Sequence, residues 1–155
     1  ANVLLPLMGT GCNHFAHPVP PPDGTQILVG QFTSYNGTPV NRIAKVNTDG
    51  TLNATFSTNV GAGFNDETTN AVLIPNGQVM ICMTQTATTL NGFPTNTLVL
   101  MSQDGVRDTT FNSSGAGFAG GRTLFVEQQS NGAIVVVGWF TSHDGLTRLR
   151  VSRLQ

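Results

Sequence analysis

Two-residue turn signals recur along this 155-residue chain at a fixed phase: Asp23-Gly24, Asn76-Gly77 and Asn131-Gly132 stand 53 and 55 residues apart, and Asn36-Gly37, Asn91-Gly92 and Asp144-Gly145 stand 55 and 53 apart. Such a period means one supersecondary unit copied in tandem, each copy burying its apolar face against the next. Asn-Gly and Asp-Gly supply the φ > 0 positions of type I′ turns, whose twist matches antiparallel strands. The apolar runs behind the first set of turns, Ile27 to Gly30, Val79 to Met83 and Ile134 to Gly138, therefore read as buried strands.

Longer stretches keep the phase. Phe32-Thr33-Ser34 returns 108 residues later as Phe140-Thr141-Ser142, and Gly61-Ala62-Gly63-Phe64 returns after 54 as Gly115-Ala116-Gly117-Phe118, with Gly9-Thr10-Gly11-Cys12 as a fainter first copy. Asp49 to Phe56 pairs with Asp104 to Phe111 at a spacing of 55. In the middle unit four strands are expected, over Thr69 to Ile74, Gln78 to Thr84, Asn96 to Ser102 and Val106 to Phe111. Gly interrupts every window in which a 3.6-residue period could build, so helix should be nearly absent. The expected fold is all-β: one domain over 1–155, built of three four-stranded antiparallel repeats of about 52–55 residues, approximately 9–60, 61–114, and 115–155 plus 1–8. The third copy of the Asp-Gly stretch would begin where the sequence reaches Gln155, and Asn2 to Leu7 stands where earlier units carry that strand. The N-terminal strand is expected to complete the last unit.

The stretches Ile27 to Gly37 and Asn41 to Phe56 resemble the bacterial delta-sixty repeat, a β-propeller repeat of about this length. The likeness is good again over Val106 to Phe111 and Gly132 to Ser142, weak over 1–22, and broken where Met83-Thr84-Gln85-Thr86 replaces the Gly and Phe-Thr-Ser signature. The resemblance implies β-propeller blades and a setting similar to that of surface-associated, secreted or phage proteins. It implies no catalytic residues. Propellers close with four to eight blades, so three blades per chain suggest a ring completed by a neighbouring copy, six blades from two chains. A β-trefoil, with three four-stranded units in a monomer, is the alternative geometry.

Charge narrows the function. Seven Lys plus Arg against eight Asp plus Glu, 10% charged in all, leave a net charge of −1 and no basic footprint for nucleic acid. No apolar run approaches the roughly 20 residues of a membrane span. Cys12, His14 and His17 carry metal-ligand types at Cys-x-His-x-x-His spacing, without an obvious fourth ligand. Cys82 reads as a small core residue. No cofactor motif is found, since Gly115 to Gly121 has no following helix or Lys. His143-Asp144 reads as a hairpin tip, and four of the acids sit in Asp-Gly turns, so no enzyme is expected. Tyr35, at a loop start, and Trp139, read as lying in a buried strand before Phe140, are the aromatic candidates for ligand binding. The expected function is a non-enzymatic structural or adhesive module of a virion, such as a phage capsid decoration or tail-fibre-type protein, or of a bacterial cell surface, with copies of itself or a larger assembly as partners. The alternative is a carbohydrate-binding or carbohydrate-processing module.

Overall fold

The computed structural model describes residues 12–113 and 115–154. The first unit supplies β1 (Ala16–Val19), β2 (Gln26–Gly30), the short pair β3 (Ser34–Tyr35) and β4 (Thr38–Pro39), β5 (Ile43–Val46) and helix α1 (Ala54–Val60). The second supplies β6 (Thr68–Leu73), β7 (Val79–Met83), β8 (Thr89–Leu90), β9 (Phe93–Pro94) and β10 (Leu98–Met101). The third supplies β11 (Phe118–Ala119), β12 (Thr123–Gln128), β13 (Ile134–Gly138), β14 (Ser142–His143), β15 (Leu146–Thr147) and β16 (Val151–Leu154).

Each unit is an antiparallel blade with the strand after the first Asx-Gly turn in the middle: β1-β2-β5, β6-β7-β10 and β12-β13-β16. The second Asx-Gly turn closes a two-residue hairpin between the middle and third strands, β3-β4, β8-β9 or β14-β15. Its first residue takes positive φ in all three copies, 47° at Asn36, 49° at Asn91 and 50° at Asp144. So does the residue before the third strand, 62° at Arg42, 65° at Thr97 and 72° at Arg150. The repeat is therefore a backbone repeat. The result is an all-β stack of propeller-like blades; among the described residues no strands close into the barrel that a trefoil requires.

The expected fourth strand is reduced. Within 106–111 only Arg107 bridges, to Met101, and the corresponding stretch of the first unit bridges once, Leu52 to Val46. The cause is capping by the next residue of the motif. Asn53 Oδ1 accepts the Phe56 N–H at 2.9 Å and starts α1, the one helix among the described residues. Asp108 Oδ1 likewise accepts from Thr110 N–H at 2.9 Å and Phe111 N–H at 3.2 Å, yet no helix follows. Between the Phe and the Gly-Ala-Gly-Phe motif the second copy is one residue shorter, and Asn112 turns the chain at φ 52° instead. The N-terminal strand expected to complete the last blade lies outside the described residues.

Two cores hold the blades together. Val19, Ile27, Val29 and Ile43 of the first blade pack with Ala71, Val79, Ile81 and Val99 of the second. The opposite face of the second blade, Met80, Cys82, Leu98 and Leu100, packs with Val126 and Val136 of the third. Fully burying a side chain of this size stabilises by about 1.5–3 kcal/mol, so these two joints carry most of the fold. Phe56 and Val60 of α1 add to the first core from outside the sheets.

Candidate functional site

The joints between blades are made by one side chain each. Thr68, opening β6, accepts the Gly30 N–H at 2.6 Å and donates to the Arg42 carbonyl at 3.1 Å. Thr123, opening β12, accepts the Met83 N–H at 3.0 Å and donates to the Thr97 carbonyl at 2.9 Å. Donors, acceptors and hydroxyl all recur at the repeat phase. Both hydroxyls are buried, and each joins a middle strand to the next blade where a sheet ladder cannot. These threonines are the residues that sequence reasoning missed, although their 55-residue spacing was there to be seen.

The third blade presents the same socket with nothing in it among the described residues. Gly138 takes the place of Gly30 and Met83, and its N–H donates to the Arg150 carbonyl at 2.9 Å as Gly30 does to Arg42. Around it lies the sheet face that is buried in the two earlier blades. Val137 is 38% exposed, whereas its counterparts Val29 and Cys82 are both at 0%. Val151 is 51% exposed, against 1% for each of Ile43 and Leu98. Phe125 is exposed beside them, and a shallow cavity of about 360 Å³ opens over Phe125, Val135 and Val137. The patch is apolar and equivalent, by the repeat, to the two faces that the internal joints bury.

A second cleft, of about 520 Å³, lies at the rim of the joint between the second and third blades, lined by Thr84, Gln85, Arg122, Trp139, Thr141 and Arg150, with Gly120 and Gly121. Here the sequence expectation needs correction. The strand ends at Gly138, so Trp139 is not buried but 58% exposed, with the Arg122 guanidinium 4.5 Å from its ring centroid. Arg150 Nη1 donates to the Trp139 carbonyl at 2.5 Å. Tyr35 stands apart, half-buried, donating to the Gly50 carbonyl at 3.1 Å and lining a different cleft of about 280 Å³. Burial raises its phenol pKa. The structure does not bring the two aromatic candidates into one site.

Cys12 bridges Tyr35 as Phe64 bridges Leu90, so it stands at the position of a core phenylalanine in the next copy. Burial pushes its thiol up to about 11. His14 lines a cleft of about 230 Å³ with Gln31, Arg42, Asp66 and Glu67, while His17 is paired with Val29 in the β1-β2 ladder. Among the described residues no three His, Cys, Asp or Glu are grouped to hold a metal ion. Both cysteines are free, and burial drives the Cys82 thiol up to about 12.

One group has the residue types of a nucleophilic triad. Ser152 Oγ lies 3.2 Å from His143 Nδ1, and His143 Nε2 lies 3.6 Å from Asp144 Oδ2. Ser152 is only 4% exposed, in the middle of β16's pairing with β13, and the imidazole stacks on Phe118 at 4.3 Å. The hydroxyl is buried within the sheet, and the imidazole packs between it and the Phe118 ring. The more exposed acids are fixed by turns: Asp23, Asp49 and Asp108 are held below the usual carboxylate range first by the hydroxyls of Thr25, Thr51 and Thr110.

Residues 22–56 and 129–155 match the family described as domain of unknown function (DUF5122) beta-propeller. The chain is thus similar to a β-propeller repeat family over most of its first blade and the end of its third, and the unmatched middle includes the Met83-Thr84-Gln85-Thr86 departure. No curated protein and no solved structure matches the chain. No helix among the described residues is long and apolar enough to cross a membrane.

Proposed function

We propose that this chain is a non-enzymatic structural module, a propeller-repeat unit of the delta-sixty kind that attaches to or decorates a larger assembly on a virion or a bacterial cell surface. The observation that carries the reading is the open face of the third blade, where Val137 and Val151 are exposed at positions buried in both preceding blades. A sheet face built for burial needs a partner. The sparse charge and the stiff repeat accord with a packing role. The experiment is density-gradient sedimentation of the protein with virions or cell envelopes of its source, beside Val137→Arg. Wild type travelling with the particles and the variant staying behind supports the reading; both remaining at the top of the gradient refutes it.

A second reading, glycan binding, is favoured by the exposed Trp139 at the 520 Å³ cleft with Arg122 and Arg150 beside it. Aromatic faces stack on sugar rings, and guanidinium groups recognise hydroxyls and carboxylates. A glycan array with wild type and Trp139→Ala tests it.

A further inference from the structure

We infer that the open face of the third blade is covered by the first blade of a second copy of this chain, head to tail, so that two chains close a six-bladed ring. The inference rests on the structural-module reading and names the partner at that same face.

The blades stack with a constant direction. In both internal joints, the first strand of the later blade lies against the first two strands of the earlier one, β6 on β1 and β2, β12 on β6 and β7. A stack of this kind has two unlike ends. At the far end, the face that receives a blade is open: Val137 and Val151 are exposed where their counterparts are buried. At the near end, the face that is received is open as well. Leu28 occupies the position of Ile81 and Val136, both at 0% exposure, yet is only half-buried, and Pro18 beside it is exposed. Phe15, next to β1, is 67% exposed. The two open faces are therefore the two halves of one joint whose other two instances are already formed within the chain.

Symmetry makes a second copy sufficient. A head-to-tail contact closes into a ring when its rotation divides the circle, and three wedges each from two chains fall within the four to eight blades over which propellers close. Both open ends are then covered at once by two identical joints. A face-to-face pairing of third blades would leave Leu28, Pro18 and Phe15 exposed.

The new joint lacks the hydroxyl that both internal joints share. Ala16 pairs with Gly30 as Thr68 pairs with Met83 and Thr123 with Gly138. The incoming strand therefore brings a methyl group where the internal joints bring a hydroxyl, and the Gly138 socket receives no oxygen. The contact between chains is a weaker version of the joint within them, and restoring the hydroxyl strengthens it.

The test is sedimentation equilibrium of wild type, Val137→Arg and Ala16→Thr, joined to bismaleimide cross-linking of Leu28→Cys/Val137→Cys, whose linker spans the spacing of packed sheets. Expected are a two-chain species for wild type, loss of at least tenfold in dimer affinity for Val137→Arg, and a several-fold gain for Ala16→Thr. Val137 is on the surface of one chain, so a folded monomer is the product of its substitution, checked by circular dichroism. The cross-link should join Leu28→Cys of one chain to Val137→Cys of the other. A wild-type monomer at all concentrations overturns the inference, as does an Ala16→Thr variant with unchanged or weaker affinity. A dimer cross-linked Val137→Cys to Val137→Cys overturns the head-to-tail arrangement while leaving the structural-module reading intact. Failure to sediment with virions or envelopes, with the head-to-tail dimer intact, refutes that reading and leaves this inference standing.

Discussion

Thr123 receives the buried N–H of Met83 at 3.0 Å across the joint between the second and third blades, and Thr68 receives that of Gly30 at 2.6 Å across the preceding one. The two contacts are one device used twice, and they differ in what survives their loss. Gly30 N–H also reaches the Arg42 carbonyl at 3.1 Å. Thr123→Val should therefore destabilise by about 1–3 kcal/mol, the cost of stranding a buried donor, and Thr68→Val by about 0.5–1.5 kcal/mol. Urea unfolding of both variants checks the order; equal or reversed losses would show that the hydroxyls are incidental to the joint.

Gly105 is where the helix meets the second blade. Its φ is 84°, and a Cβ there would lie 3.0 Å from Val60 Cγ1 and 3.1 Å from Phe56 Cδ2. Gly105→Ala should cost more than about 1 kcal/mol, from backbone strain and from displacing α1. Gly37→Ala, with a φ of 79° but open space around it, carries the strain alone and should cost less. Thermal melts of the pair separate the two contributions.

Acid should destabilise the fold along a defined path. Asp23, Asp49, Asp66 and Asp108 all have depressed carboxyl pKa values, chiefly through threonine hydroxyls. A carboxylate depressed in the folded state adds stability that is complete above its unfolded value of about 3.9 and is lost as pH falls through the folded value. Melting temperature should thus be flat from pH 7 to about 5 and fall below about 4. Asp108→Asn should flatten part of that fall, as read by circular dichroism melts.

The thiols should be silent in the native protein. With Cys82 near 12 and Cys12 near 11, almost no thiolate exists at pH 8, and Cys82 is also shut away from reagent by burial. Thiol titration with a chromogenic disulfide should give little reaction when folded and two equivalents in guanidinium. Rapid native labelling of Cys12 would show that burial does not hold its thiol protonated.

Much of this was legible before any coordinates, for a physical reason. Positive-φ turns are encoded locally, so Asn36, Asn91 and Asp144 announced the hairpins and, by their spacing, the repeat. What escaped depends on what lies across a joint. Asn53 and Asp108 share a motif, and only the length of the following segment decides that one caps a helix and the other a turn. Trp139 sits one residue beyond an apolar run, and the run's end at Gly138 is set by the strand opposite. Thr68 and Thr123 look like ordinary strand residues until the neighbouring blade shows which donors they meet.

Native mass by light scattering over a hundredfold dilution tests the account most directly. The account predicts a particle of twice the 16.3 kDa chain at high concentration, dissociating on dilution, and at least tenfold more readily for Val137→Arg. A constant 16.3 kDa for wild type at every concentration, with Val137 and Val151 left in water, would contradict it.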